Sequence, residues 1–231
     1  MNLSDIKQFL VAKINRRQFK ILGVFPLKIS FAFYGVPVIL IGNDCIGLME
    51  QTFFEGYSND LSVKGKYVID VGASIGDTAI LFALKGAKKV IAVEPMKSHA
   101  FMRMNILANH LEGIITPLDY AIGKELTTLN IKEGAAVSSD KIVPGTDRVC
   151  QIIPLTYMTG YLPRDAVVKM DCEGCEFDAI LFSSKSTLRY FSAFLIEIHG
   201  DPKKILWKFK GCGFSCTRTR HGSYLFMRVK S

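Results

Sequence analysis

The chain has 231 residues, 49% of them hydrophobic, the size of one large domain or of one domain with an appendage. Its formal charge of +8 and sequence pI of about 9.2 admit nucleic acid, phosphate-bearing substrates or a membrane surface as partners, and serve solubility equally well. The first residues are charged (Asp5, Lys7, Lys13, Arg16, Arg17, Lys20), and Gly35 and Pro37 break the longest apolar run, Phe31–Ile41, so neither a secretory signal nor a membrane span is expected.

A cytoplasmic protein follows as the expectation, with its six cysteines read as reduced thiols. Residues 3–22 place Leu3, Ile6, Phe9, Leu10 and Ile14 at near-helical spacing among basic residues, which predicts an amphipathic helix. Such a helix packs on its own domain or lies on a membrane surface. "LKISFAFYGVPVILIG" then reads as two strands joined by a tight turn at Tyr34-Gly35. Residues 1–63 therefore form an appendage, and the chain changes character near Lys64.

From 64 to 231, short apolar runs alternate with helix-length segments, the pattern of a mostly parallel sheet covered by helices on both faces. Strands are expected at Tyr67–Val71, Lys89–Val93, Ile114–Leu118, Ala166–Asp171 and Phe194–His199, and helices at Asp77–Lys85, Ser98–Asn109, Phe177–Ser183 and Pro202–Gly211. Residues 124–154, rich in Gly, Ser and Thr, read as a β-rich insertion. "RHGS" between the last two apolar runs predicts an antiparallel hairpin centred on Gly222.

"VIDVGASIGDTAI" (Val68–Ile80) supplies the first chemistry. In an open parallel sheet, ligands bind beyond the carboxyl ends of the strands, and Gly72 and Gly76 let the backbone turn and approach a ligand there. "VIAVEP" ends the next strand in Glu94, about twenty residues on, where a carboxylate accepts both hydroxyls of a ribose. That much fits NAD and S-adenosylmethionine alike. Asp70 separates them: its charge repels a pyrophosphate but can receive the amino group, or balance the sulfonium, of S-adenosylmethionine.

These blocks, followed by "NILANH", "DYAIG", "VVKMDCEGCEFDAIL" and "LIEIHG", resemble those of FkbM-type S-adenosylmethionine-dependent methyltransferases. The resemblance covers about residues 50–200, and "EGY" at Glu55–Tyr57 is similar to a segment before the family's first strand. It implies a class I, Rossmann-like α/β fold with a seven-stranded sheet, and O-methylation of a hydroxyl on a small molecule or glycan. It also implies that Asp70, Gly72, Ala73 and Gly76 hold the methionine end and Glu94 the ribose. "DYA" falls where the family's adenine sits, giving Asp119 and Tyr120 as its neighbours; Asp119 is equally readable as a strand-end turn residue.

A hydroxyl acceptor must lose a proton. Asp171 and Glu173 end one strand, Glu197 and His199 the next, and residues two apart share a face. Either His199 takes the proton while a carboxylate fixes its tautomer, or Asp171, Glu197 and His199 bind a divalent ion. The first is preferred, because no tight ligand spacing announces a metal. Asp171 and Glu173 could alternatively cap the following helix. Cys172, Cys175, Cys212 and Cys216 resemble a four-thiolate zinc set, but the two pairs should lie at opposite ends of the sheet. The competing functions are an RNA methyltransferase, suggested by the basic charge and "RTRHGS", a non-catalytic membrane- or partner-binding protein, and, more distantly, a dehydrogenase.

Overall fold

The computed structural model describes residues 18–132 and 143–229. The chain opens on an antiparallel three-stranded sheet, β1 (Phe19–Val24), β2 (Leu27–Phe33) and β3 (Val36–Ile41). The turn at Tyr34-Gly35 is as the sequence reads, and β1 is not: the end of the expected helix over 3–22 is a strand, paired with β2 from Phe19↔Phe31 to Val24↔Leu27. The cross-strand ladder overrides a weak helical periodicity there. The rest of that helix lies outside the described residues. A short helix, α1 (Cys45–Leu48), runs into a π-helical segment, Met49–Phe54.

The main unit follows as β4 (Tyr67–Val71), α2 (Asp77–Leu84), β5 (Lys89–Val93), α3 (Ser98–Ala108) and β6 (Ile115–Leu118). Next come β7 (Ala121–Gly123), β8 (Thr127–Lys132), β9 (Val143–Pro144) and β10 (Arg148–Pro154), which form a separate four-stranded sheet in the order β7-β10-β8-β9. The chain ends with β11 (Val167–Met170), α4 (Cys175–Leu181), α5 (Lys185–Leu188), β12 (Ala193–Ile196), α6 (Lys203–Gly211), β13 (Phe214–Arg218) and β14 (Tyr224–Arg228). The seven-stranded sheet has the order β13-β14-β12-β11-β4-β5-β6, with parallel pairing from β12 to β6 and an antiparallel β13/β14 hairpin beyond Gly222. The fold is α/β and Rossmann-like, as expected.

Alternation along the central strands divides the core into two layers. Val68, Val90, Ala92 and Val167 face a cluster with Ile80, Met102 and Ile106 of α2 and α3. Ile69, Val71, Ile91, Val168 and Met170 face the other, with Ala179, Ile180, Ile205 and Phe209 of α4 and α6. Leu27, Phe31, Val38 and Leu40 join the first cluster, so the small sheet is packed on the main one. Asn105 of α3 and Asn109, at the C-cap of that helix, complete that junction. Asn105 accepts from the Ile41 amide at 2.7 Å and donates to the Ile41 and Ile75 carbonyls, and Asn109 brackets Ile39 in the same way. Side-chain amides thus satisfy backbone groups of β3 that no further strand pairs. Among the described residues no helix is long and apolar enough to cross a membrane.

Candidate active site

The strand order reverses between β4 and β11, and at such a switch point an open sheet leaves a crevice beyond its carboxyl ends. There Asp70 and Lys169 stand directly opposite each other in the parallel register, both turned into the α2 layer. Lys169 Nζ lies 3.2 Å from Asp70 Oδ1 and donates to the Gly72 carbonyl at 3.1 Å; Asp70 Oδ2 accepts from the Thr78 hydroxyl at 2.5 Å. Burial pulls the Lys169 ammonium down, but Asp70, Asp171 and Asp77 outweigh it and hold its pKa above the ordinary value. Beside them Asp77 accepts from Thr52 at 2.5 Å, and burial pushes its pKa up to about 6.

Asp70 is wholly buried, its charge is matched by Lys169, and it supports the turn from beneath.

The glycines of the turn also have structural work. A Cβ on Gly72, at φ +73°, would lie 1.8 Å from the Asp171 carbonyl oxygen, and one on Gly76, at φ +87°, would lie 2.9 Å from Met102 Cγ. Ala73 is buried, and its amide and that of Gly72 both donate to the Val93 carbonyl. Gly72→Ala is therefore expected to destabilise the fold by about 2–4 kcal/mol through overpacking and left-handed strain. Urea denaturation checks this, and a loss under about 1 kcal/mol would show that β11 can move away.

Glu94, at the end of β5, is 6% exposed; its Oε2 accepts from the Ser74 amide at 2.9 Å and its Oε1 from the Met96 amide at 2.8 Å. Burial raises its pKa against the pull of those amides. The Ser98 side chain donates to the same carboxylate, which leaves acceptor capacity for a further donor. A cleft with about 460 Å³ of empty space runs past it, lined by Gly72, Glu94, Met96, Tyr120, Ala121 and Asp171 among others. Asp119 does not line this cleft: both its oxygens accept from Arg148 Nη1, at 3.0 and 2.8 Å, tying the main sheet to β10.

A second, more polar cleft of about 610 Å³ adjoins the first, and Gly72, Asp171 and Glu173 line both. Its wall carries Thr52, Tyr57, Ser74, Asp77, Lys169 and Glu197. The Tyr57 hydroxyl donates to Asp171 Oδ2 at 3.0 Å and to Glu197 Oε2. Burial, then the two carboxylates, raise its pKa far above the usual phenol, so it stays a donor. The other oxygens of those carboxylates face His199: Nε2 lies 3.7 Å from Asp171 Oδ1, 3.7 Å from Glu173 Oε2 and 3.9 Å from Glu197 Oε1. On the far side of the ring, Nδ1 lies 3.4 Å from Oε1 of the fully buried Glu176, which also accepts from the His199 amide at 2.7 Å.

Asp171, Glu197 and His199 are thus brought together, and Tyr57 and Glu176 complete the cluster. Sequence reasoning missed both roles, although Tyr57 lies in the quoted "EGY" and Glu176 in "CEGCE". Asp171 and Glu173 do not cap the following helix: α4 begins after Gly174 with no side-chain cap, and Glu176 reaches back to the Gly174 amide at 2.9 Å. Ligand atoms of Asp171, Glu173 and His199 lie within 4.8 Å of one another, so Glu173 takes the place expected for Glu197 in a metal-binding trio.

The cysteines need two corrections. Cys172 and Cys175 form a disulfide, whereas reduced thiols are the sequence expectation, because the turn into α4 brings residues three apart together. Bridged sulfurs are not thiolate ligands, which removes the zinc set; Cys212 is buried and free, Cys216 exposed and free.

Known proteins share sequence and fold with this chain. A model of the Methyltransferase FkbM domain matches residues 70–216, more than half of the chain. Protein arginine N-methyltransferase PRMT10 of Arabidopsis thaliana is 35% identical over 74 residues, 32% of this chain; the chain spans only 19% of that relative's length. The crystal structure of Methyltransferase FkbM from Methylobacillus flagellatus superposes with a TM-score of 0.52 at 16% identity, over 74% of this chain and 46% of that one, a likeness of fold. With that model spanning the switch-point turn and the acidic cluster, the chain belongs to the FkbM methyltransferase domain family.

Proposed function

We propose that this protein is an S-adenosylmethionine-dependent methyltransferase whose acceptor is a hydroxyl of a small molecule or glycan. The observation that carries the reading is that the two clefts share Gly72, Asp171 and Glu173. A donor lying along Glu94 and Tyr120 in the first cleft delivers its methyl group to an acceptor in the second. Methyl transfer from a sulfonium is an in-line displacement, so positioning supplies most of the rate. The acceptor oxygen attacks the methyl carbon, the carbon–sulfur bond breaks, and the hydroxyl proton passes to His199 Nε2. Glu176 Oε1, 3.4 Å from Nδ1, favours a ring proton on that side by its charge, and Asp171, Glu173 and Glu197 stabilise the imidazolium.

His199→Ala is expected to lower kcat by about 10²–10⁴-fold while leaving S-adenosylhomocysteine affinity within about threefold. The pH dependence of kcat assigned to the base should vanish with it. A variant that turns over at the wild-type rate across pH overturns the base. Mass-shift assays against glycans, hydroxylated small molecules and RNA identify the acceptor, and methylation of RNA alone would replace the hydroxyl reading.

A second reading of the cluster has its own support. Asp171, Glu173 and His199 form a set whose oxygen-rich chemistry suits magnesium or manganese, which would polarise the acceptor hydroxyl. Loss of activity with a chelator, restored by either ion, favours it over the base; full activity in the chelator excludes it.

A further inference from the structure

The Cys172–Cys175 bridge lies in the donor cleft itself, with both cysteines in its lining. We infer that this bridge is a reducible clamp on that cleft, so that bound cofactor and reduction oppose each other; the inference rests on the donor reading given above.

Its placement argues for the cleft and against general stability. A crosslink between residues three apart removes little freedom from the unfolded chain, because the entropy it withdraws grows with loop length. None of the other four cysteines is bridged, Cys45, Cys150 and Cys212 in the core and Cys216 on β13, so the bridge belongs to no disulfide framework.

What the ring holds is local and tied to both clefts. It encloses Glu173 at φ +56° and Gly174 at φ +119°, two consecutive left-handed residues. A glutamate keeps that conformation only where its surroundings impose it. The bridge is one such restraint, and the Gly174 amide on Glu176 is another. So held, the Glu173 carboxylate faces His199 Nε2 at 3.7 Å. On the opposite side the Gly72 turn is pressed on the same backbone, since a Cβ there would meet the Asp171 carbonyl and, at 3.1 Å, Cys172 Cα. A shift of 172–175 therefore moves a wall of the donor cleft, the turn below it and one carboxylate of the acceptor cleft.

The chemistry needs a dithiol reductant. Its thiolate attacks one bridge sulfur, the sulfur–sulfur bond breaks, and a mixed disulfide forms. Its second thiol then releases the protein sulfur. The bridge gains two electrons and two protons and becomes two thiols, and the reductant leaves as a disulfide. Both cysteines line the donor cleft, so a ligand seated there covers them. Reciprocity follows: whatever factor reduction removes from cofactor affinity, cofactor adds to the stability of the bridge.

The test uses the full chain and dithiothreitol, with thiols counted by alkylation and mass spectrometry and S-adenosylhomocysteine affinity measured by calorimetry in both states. Reduction is expected to weaken binding about tenfold, within the range of ordinary coupling between sites, and saturating S-adenosylhomocysteine to slow reduction. The double variant Cys172→Ser/Cys175→Ser should bind like the reduced protein and ignore dithiothreitol. Should it fail to fold, the reduced wild type carries the same comparison. Equal affinity in the two states, or six alkylated thiols in the denatured chain whether or not oxidant is present, overturns the clamp and leaves the donor reading standing. Absence of binding in either state overturns the donor reading, and the clamp with it.

Discussion

Glu94→Ala is expected to weaken S-adenosylhomocysteine binding by about 100-fold, the largest effect of any change in the donor cleft that leaves the core intact. Two ribose hydroxyls lose a charged acceptor, and hydrogen bonds to charged groups are each worth about 1.5–3 kcal/mol. The substitution also frees the amides of Ser74 and Met96, which Glu94 holds at 2.9 and 2.8 Å, so the turn after β4 loses its clip to β5. Glu94→Gln separates the contributions, since its amide oxygen can serve one partner and its charge is gone. It should lie between the alanine variant and wild type. Because burial raises the Glu94 pKa, wild-type affinity should begin to fall on acidification earlier than for an exposed glutamate. Calorimetry reads both effects, and a loss under about threefold for the alanine variant would place the ribose elsewhere.

Glu94 was legible because the parallel-sheet pattern carries its own geometry. Apolar runs separated by helix-length segments fix which residues end each strand, and β4 and β5 occupy the expected spans Tyr67–Val71 and Lys89–Val93. Strand ends were less legible: β12 stops at Ile196, three residues before the expected His199, because Glu197 and His199 turn their side chains into the cluster instead of continuing the ladder. What the sequence hides is pairing across the fold. Tyr57 meets Asp171 and Glu197 over separations of 114 and 140 residues, and nothing local in "EGYSND" announces it. Asp119 reads as a free acceptor until Arg148 arrives from β10 to occupy it. The partner of Asp70 is hidden too, because the register that sets Lys169 beside it belongs to a strand nearly a hundred residues later.

That register makes Lys169→Met the change with the largest expected effect on stability. Lys169 is 3% exposed, and its ammonium is the cation between Asp70, wholly buried, and Asp77, 3% exposed. Removing one partner of a buried ion pair leaves the other charge unmatched, which costs about 3–5 kcal/mol. Replacing both partners, as Lys169→Met with Asp70→Asn, should recover a large part of that loss, because it is the orphaned charge that is expensive. Asp77 adds a pH dependence whose direction is fixed. Its folded pKa of about 6 lies above its ordinary 3.8, so the fold disfavours the ionised form. The penalty is absent below about pH 4, where the acid is protonated in both states, and is complete above about pH 6. A shift of this size is worth about 3 kcal/mol, so unfolding free energy should fall by that order between those limits. Asp77→Asn should abolish the fall while keeping an acceptor for Thr52. Without Lys169 the Asp77 carboxyl loses one of the charges that lower its pKa, and the fall should deepen and reach higher pH. Urea denaturation across pH 4–8 distinguishes these cases. A Lys169→Met protein within about 1 kcal/mol of wild type at every pH would mean that Asp70 and Asp77 are not held as charges, and that the floor of the site is neutral.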